Sequence, residues 1–150
     1  MDNETGPASR RPGPAGVRET TATESWELMR GAVIGRLAVL HDGAPDIFPV
    51  NFVVEHGTVV LRTAAGTKYD AARNHPVAFE VDGYDVESGE AWSVVARGHA
   101  VEVRDVDESI AILDLPLDPW QKGPKPHLLR LVPVSLTGRR FPVSGGARHP

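Results

Sequence analysis

Six segments of this chain carry apolar residues in short strand-length runs: Gly35–His41, Ile47–Glu55, Thr58–Thr63, Val77–Val81, Ala91–Arg104 and Leu128–Leu136, each rich in Val, Ile, Leu or Phe. Alternation with a period of two turns one face of a segment to a core and the other outward, which suits strands and not helices. The connections agree, because His41-Asp42-Gly43-Ala44-Pro45 and Glu55-His56-Gly57 supply the glycines that tight turns with positive φ need. The first three strands are therefore expected to form an antiparallel meander. The length of Ala91–Arg104 suggests barrel curvature, with Gly98 marking a bulge or a close backbone approach.

Helical signals sit between these segments. Thr21-x-x-Glu24 is a capping box, followed by Trp26, Met29 and Val33 at helical spacing and by Gly31 near the end. A second short helix is expected between Ala64 and Pro76, and a third over Asp105–Leu115, whose early Asp105, Asp107 and Glu108 match the helix dipole. The acidic stretch Asp82–Glu90 is read as a solvated loop. The fold class is thus α+β, mainly β: a six-stranded antiparallel barrel with short helices. Residues 1–22 are rich in Gly and Pro and poor in large apolar side chains, and are expected to be a disordered tail. Residues 23–142 form the domain, and residues 143–150 a flexible C-terminal tail.

At 150 residues, 41% of them hydrophobic, one domain with a core is the expected organisation. The chain has no cysteine, which removes disulfide frameworks, thiolate metal sites and cysteine nucleophiles. A formal charge of -4 disfavours non-specific binding to nucleic acid. Apolar runs reach only about six residues against the ~20 that span a bilayer, and the N-terminal stretch lacks a signal peptide's apolar region, so a cytoplasmic protein is expected. His41, His56, His75, His99, His127 and His149 are dispersed without ligand spacing, so no metal is expected. The nucleophile elbow, the phosphate-binding P-loop and the dinucleotide fingerprint are all missing.

Two segments carry chemistry. In Leu61-Arg62-Thr63-Ala64-Ala65-Gly66-Thr67-Lys68 a strand end, a glycine, hydroxyls and two cations meet at a helix start, a place that suits a phosphate. The same letters also read as a plain helix start with Thr67 as N-cap and Arg62 and Lys68 in solvent. In Ile47-Phe48-Pro49-Val50-Asn51-Phe52, Pro49 removes a ladder donor and Asn51 sets an amide between apolar neighbours. An open strand edge facing a flat heteroaromatic ligand accounts for this, and so does a β-bulge.

Taken in order, Gly35-Arg36-Leu37-Ala38, Pro49-Val50-Asn51-Phe52, Arg62-Thr63-x-x-Gly66-Thr67-Lys68, Val77-Ala78-Phe79-Glu80-Val81-Asp82 and Trp92-Ser93-Val94 resemble the pyridoxamine 5'-phosphate oxidase-like family, in particular its small actinobacterial flavin-binding branch. The resemblance covers about Trp26 to Phe141. It implies a split β-barrel that binds FMN as a homodimer, acting as an oxidoreductase on an unidentified small molecule. By the same resemblance Pro49, Val50, Asn51 and Phe52 lie along the flavin ring, Arg62, Thr63, Thr67 and Lys68 hold the phosphate, and Trp92 and Ser93 approach from the second subunit. Alternatives within the resemblance are the deazaflavin F420 as cofactor, and a non-catalytic redox sensor or carrier. Ile47–Phe52 lacks the basic residue that the pyridoxamine phosphate oxidases proper carry in this segment, which sets vitamin B6 oxidation aside.

Overall fold

The computed structural model describes residues 16–63, 66–103 and 127–143. The expected helix Asp105–Leu115, the stretch 1–15 and the C-terminal residues from 144 lie outside them. In chain order the elements are β1 (Arg18–Glu19), α1 (Ala22–Arg30), β2 (Ile34–His41), β3 (Ala44–Glu55), β4 (Thr58–Thr63), α2 (Thr67–Ala72), β5 (Pro76–Asp85), β6 (Glu90–Glu102) and β7 (His127–Pro142). The six expected strands are all present. A seventh, the two-residue β1, pairs with Arg139 and Arg140 of β7, so backbone pairing begins inside the stretch that composition set apart as a tail.

The sheet runs β1-β7-β4-β3-β2-β5-β6, and β6 pairs again with β7, so the ladder closes into a ring. Every pairing is antiparallel, and β2, β3 and β4 form the expected meander. Closure leaves no open edge on the long strands β6 and β7 where they meet. Inside the ring, Leu37, Phe52, Leu61, Phe79, Val81, Val94, Leu129 and Leu131 build the core. Phe52 and Phe79 meet edge to face, with centroids 4.8 Å apart.

Helix α1 packs against β3, β6 and β7, with Met29 in the core. Thr21 accepts a hydrogen bond from the Glu24 amide at 3.1 Å, the expected cap, worth roughly 1 kcal/mol. Arg140 Nε donates to Glu24 at 2.8 Å, and its Nη1 lies 3.4 Å from Glu90, which ties the helix to β6 and β7. The Arg140 guanidinium holds the Glu24 carboxyl below its ordinary value. Thr20 and Ser25 share a 2.7 Å hydrogen bond against Gly138, where a Cβ would stand 2.1 Å from the Thr20 hydroxyl.

Two expectations are corrected here. The acidic stretch is not a loop throughout, because β5 continues to Asp85 and pairs with β6 as far as Glu90. Only residues 86–89 turn, with the Asp85 carboxylate accepting from the Glu87 amide at 2.9 Å. Charge composition suggested solvent, but Arg36 of β2 lies 3.0 Å from Asp82 and offsets its charge on the outer face of the sheet. Second, α2 is capped by Gly66 and not by Thr67.

At Gly98 the β6–β7 register shifts, and a Cβ there would lie 2.0 Å from the Val132 carbonyl oxygen. Gly98→Ala is expected to destabilise the fold by roughly 1–3 kcal/mol, the range for overpacking. Gly31→Ala, where the nearest atom would stand 3.5 Å away, is expected to stay within about 0.5 kcal/mol. Urea unfolding of both variants checks this; equal midpoints would contradict it.

Candidate functional site

Strands β3 and β4 pair from Glu55 opposite Thr58 to Phe52 opposite Leu61 and then part. Beyond that point Arg62 and Thr63 keep only the β7 partners, Leu128 and His127, on the other edge of β4, while β3 continues along β2 alone. The stretch Ala44–Asn51 therefore has one unpaired edge, and Asn51 and Arg62 stand where the two strands divide. Val50 and Phe52 are buried in the core, so Asn51 between them faces the outer side; Arg62, between buried Leu61 and Thr63, does the same.

This outer side is not bare. Val60 and Leu128 form a small second cluster with Val53 and Val103. Beside it Asn51 Oδ1 and Arg62 Nε are buried, and neither has a hydrogen-bond partner. Leaving a buried polar group unpaired costs about 1–3 kcal/mol, more for a charged one, which makes this parting of strands the candidate site. Arg62 makes no ion pair among the described residues.

The short helix α2 follows β4 directly. Its N-cap, Gly66, has φ of 148°, a conformation that side chains disfavour, and Thr67 and Lys68 are its first two residues. The side chains of Thr67 and Lys68 lie outside the described set. Tyr69 anchors the helix: its buried ring stacks on His127 at 4.2 Å, and Arg73 lies over its other surroundings, 5.3 Å from the ring centroid. His127 Nδ1 is 3.0 Å from Glu102 Oε1. Burial pushes the Tyr69 phenol up, and the Glu102 carboxylate adds to that shift. Sequence reading missed this cluster, because His127 and Glu102 are 25 residues apart and meet only through β6–β7 pairing.

One chain does not bring all ten expected residues together. Pro49 to Phe52, Arg62, Thr63 and the start of α2 are neighbours at the parting of β3 and β4. Trp92 and Ser93 are elsewhere: they lie on β6, three strands round the sheet from β3, with Trp92 opposite Arg140 and Ser93 two residues from Val95. Trp92 and Ser93 also face opposite ways. Trp92 packs against the core, over Gly83, and Ser93 faces outward in a row with Asp82 and Arg139.

Between the two regions, Pro49, Arg36, Glu80 and Val95 form one cross-strand row. Arg36 Nη1 lies 3.0 Å from Asp82 and 3.6 Å from Glu80, whose buried Oε1 has no hydrogen bond. Burial, with Asp82 beside it, pushes the Glu80 carboxyl up to about 7. No group of His, Asp or Glu among the described residues is arranged to hold a metal ion. No helix among them is long and apolar enough to cross a membrane.

Comparison with known proteins places this geometry. The family model described as pyridoxamine 5'-phosphate oxidase matches residues 21–140. The chain belongs to the pyridoxamine 5'-phosphate oxidase-like family. It is 33% identical over 144 residues to the uncharacterized protein Rv0080 of Mycobacterium tuberculosis, covering 90% of this chain and 94% of that one. Among solved structures it is similar to the FAD binding protein from Mycobacterium smegmatis, at 40% identity and a TM-score of 0.73, covering 87% of this chain and all of that one. It is also similar to DIP1874 of Corynebacterium diphtheriae, a conserved protein of unknown function, at 32% identity and a TM-score of 0.72 over 84% of this chain and 98% of that one. The family's split barrel is the fold described above, so the fold that the resemblance implied is the one found.

The Glu80 carboxyl carries a testable consequence. Its folded value near 7 stands above the ordinary 4.5, so the folded state binds more protons between these values. Its contribution to stability is present below about pH 4.5 and is lost as pH rises toward 7. The stability difference between the natural chain and Glu80→Gln is expected to move against the natural chain over that window, as read by urea unfolding at successive pH values. A difference flat with pH would contradict the assignment.

Proposed function

We propose that this chain is a flavin-binding oxidoreductase, with FMN as cofactor and a small molecule as substrate. The observation that carries the reading is the parting of β3 and β4, where Arg62 Nε and Asn51 Oδ1 are buried without partners. A flavin supplies what these residues lack, a phosphate acceptor for Arg62 and a ring donor for Asn51. Arg62 donates to it, the α2 start contributes Thr67 and Lys68, and Thr63 closes the strand end. Asn51 offers a carbonyl oxygen to a ring N–H, with Pro49, Val50 and Phe52 forming the adjacent strand. When bound, the flavin supplies two-electron transfer; the protein binds, orients and shields it.

The reading needs two copies of the chain. In this reading Trp92 and Ser93, on β6 and three strands round the sheet from β3, meet the flavin held by the partner chain of a homodimer. A surface that fits such pairing is the outer face of β2, β5, β6 and β7. There Leu40 and Val134, 65% and 78% exposed, border an apolar hollow of about 360 Å³. Isolated apolar side chains are ordinary on a surface, but a contiguous group of them around a hollow suits burial by a second subunit.

A second reading, FAD in place of FMN, is favoured by the similarity to the FAD binding protein of M. smegmatis. Absorbance and mass spectrometry of the bound ligand distinguish the two, and F420 as well. Arg62→Ala and Lys68→Ala are each expected to weaken FMN uptake by about 1.5–3 kcal/mol, roughly ten- to a hundredfold. Unchanged affinity in both variants, with unchanged unfolding, would reject the phosphate assignment.

A further inference from the structure

A single residue, His127, holds both ends of the segment from Thr63 to Tyr69. Thr63 ends β4 directly opposite His127, the pair that closes the β4–β7 ladder. On the far side of the intervening turn, Tyr69 lays its ring on the His127 imidazole, with centroids 4.2 Å apart and planes 26° from parallel. Both anchors are buried, Thr63 at 3% exposure and Tyr69 at 5%. The imidazole is itself aimed, because its Nδ1 lies 3.0 Å from Glu102 Oε1, and Glu102 is fixed opposite Leu129 in the β6–β7 ladder. The other carboxylate oxygen of Glu102 lies 4.0 Å from Arg73, the residue that ends α2, and the next amide, that of Asn74, donates to the Ala100 carbonyl at 2.7 Å. Isolated helices of fewer than about 12 residues are marginal in water, so the six residues of α2 keep their place through these contacts.

We propose that His127 is a positioning residue for phosphate binding: its backbone holds Thr63 and its ring holds Tyr69, so that the connection bearing Thr67 and Lys68 stays beside Arg62. This inference rests on the flavin reading above. A ring stack suits the task, because it fixes the residue that follows Lys68 without consuming a donor that the phosphate uses. Neither His127 nor Tyr69 nor Glu102 touches the ligand in this arrangement. The effect is therefore selective. Release of Tyr69 lets the start of α2 drift and costs charge-assisted bonds to a phosphate, whereas the ring-facing stretch of β3 is held by β2 and keeps its place.

Titration of the full chain with FMN and with riboflavin, which lacks only the phosphate, read by flavin fluorescence, tests the proposal. His127→Ala is expected to weaken FMN binding about tenfold, the scale of one charge-assisted hydrogen bond lost, and to leave riboflavin binding unchanged. His127→Phe, which returns a flat ring to Tyr69, is expected to recover most of the FMN affinity. His127→Leu, apolar but without a flat face, is expected to match the alanine variant and serves if that variant fails to fold. An equal loss for FMN and riboflavin, as a general loosening of the barrel produces, overturns the proposal. So does FMN affinity unaltered in the alanine and leucine variants, or a phenylalanine variant no better than leucine. The natural chain separates the two readings: FMN uptake that the His127 variants leave unaltered removes this inference alone, whereas a natural chain that takes up neither flavin removes the flavin reading and this inference with it.

Discussion

The pairing of β7 with three other strands is the constraint on which everything else depends. Residues 127–131 run beside β4, residues 129–142 beside β6, and Arg139 and Arg140 beside β1. β4 keeps β7 on one edge through Thr63 while its other edge parts from β3 beyond Leu61, so the ring stays closed beside the parting at Asn51.

That arrangement explains why polar atoms are left unpaired where the core is otherwise well packed. Leu61, Val59 and Phe52 are almost wholly buried, and their packing fixes β3 and β4 up to the point of division. Beyond it Asn51 and Arg62 retain outward directions imposed by strand alternation, beneath a small apolar cover of Val60, Leu128, Val53 and Val103. Buried unpaired groups are uncommon in folded proteins, and this pair is of opposite hydrogen-bonding character, an acceptor and a cationic donor.

The ionic groups divide by task. Arg140 and Glu24 fasten α1 to β7. Arg36 bridges Glu80 and Asp82 on the outer face, so that three charged residues occupy a surface where apolar residues also gather. Tyr69, His127, Glu102 and Arg73 clamp α2 to the barrel by a ring stack and ion pairs. Each cluster joins residues from different elements, and each depends on the register of β6 against β7 or of β2 against β5.

Local chemistry was legible in the amino-acid order. Period-two alternation marked all six long strands, the Thr21 hydroxyl announced its cap, and Gly98 announced the register shift, because each effect acts within a few residues. The order of motifs also marked the family and, with it, the split barrel. Tertiary structure alone decided which way each candidate faces: Asn51, Arg62 and Ser93 outward, Thr63 and Trp92 inward, with Trp92 and Ser93 three strands round the sheet from β3. It also turned half of an acidic loop into strand, since only the β2 neighbour brings Arg36 to Asp82. Propensity is a property of neighbours in sequence, whereas an orphaned atom, a charge pair or the stack of Tyr69 on His127 exists only when elements distant in sequence settle into one register.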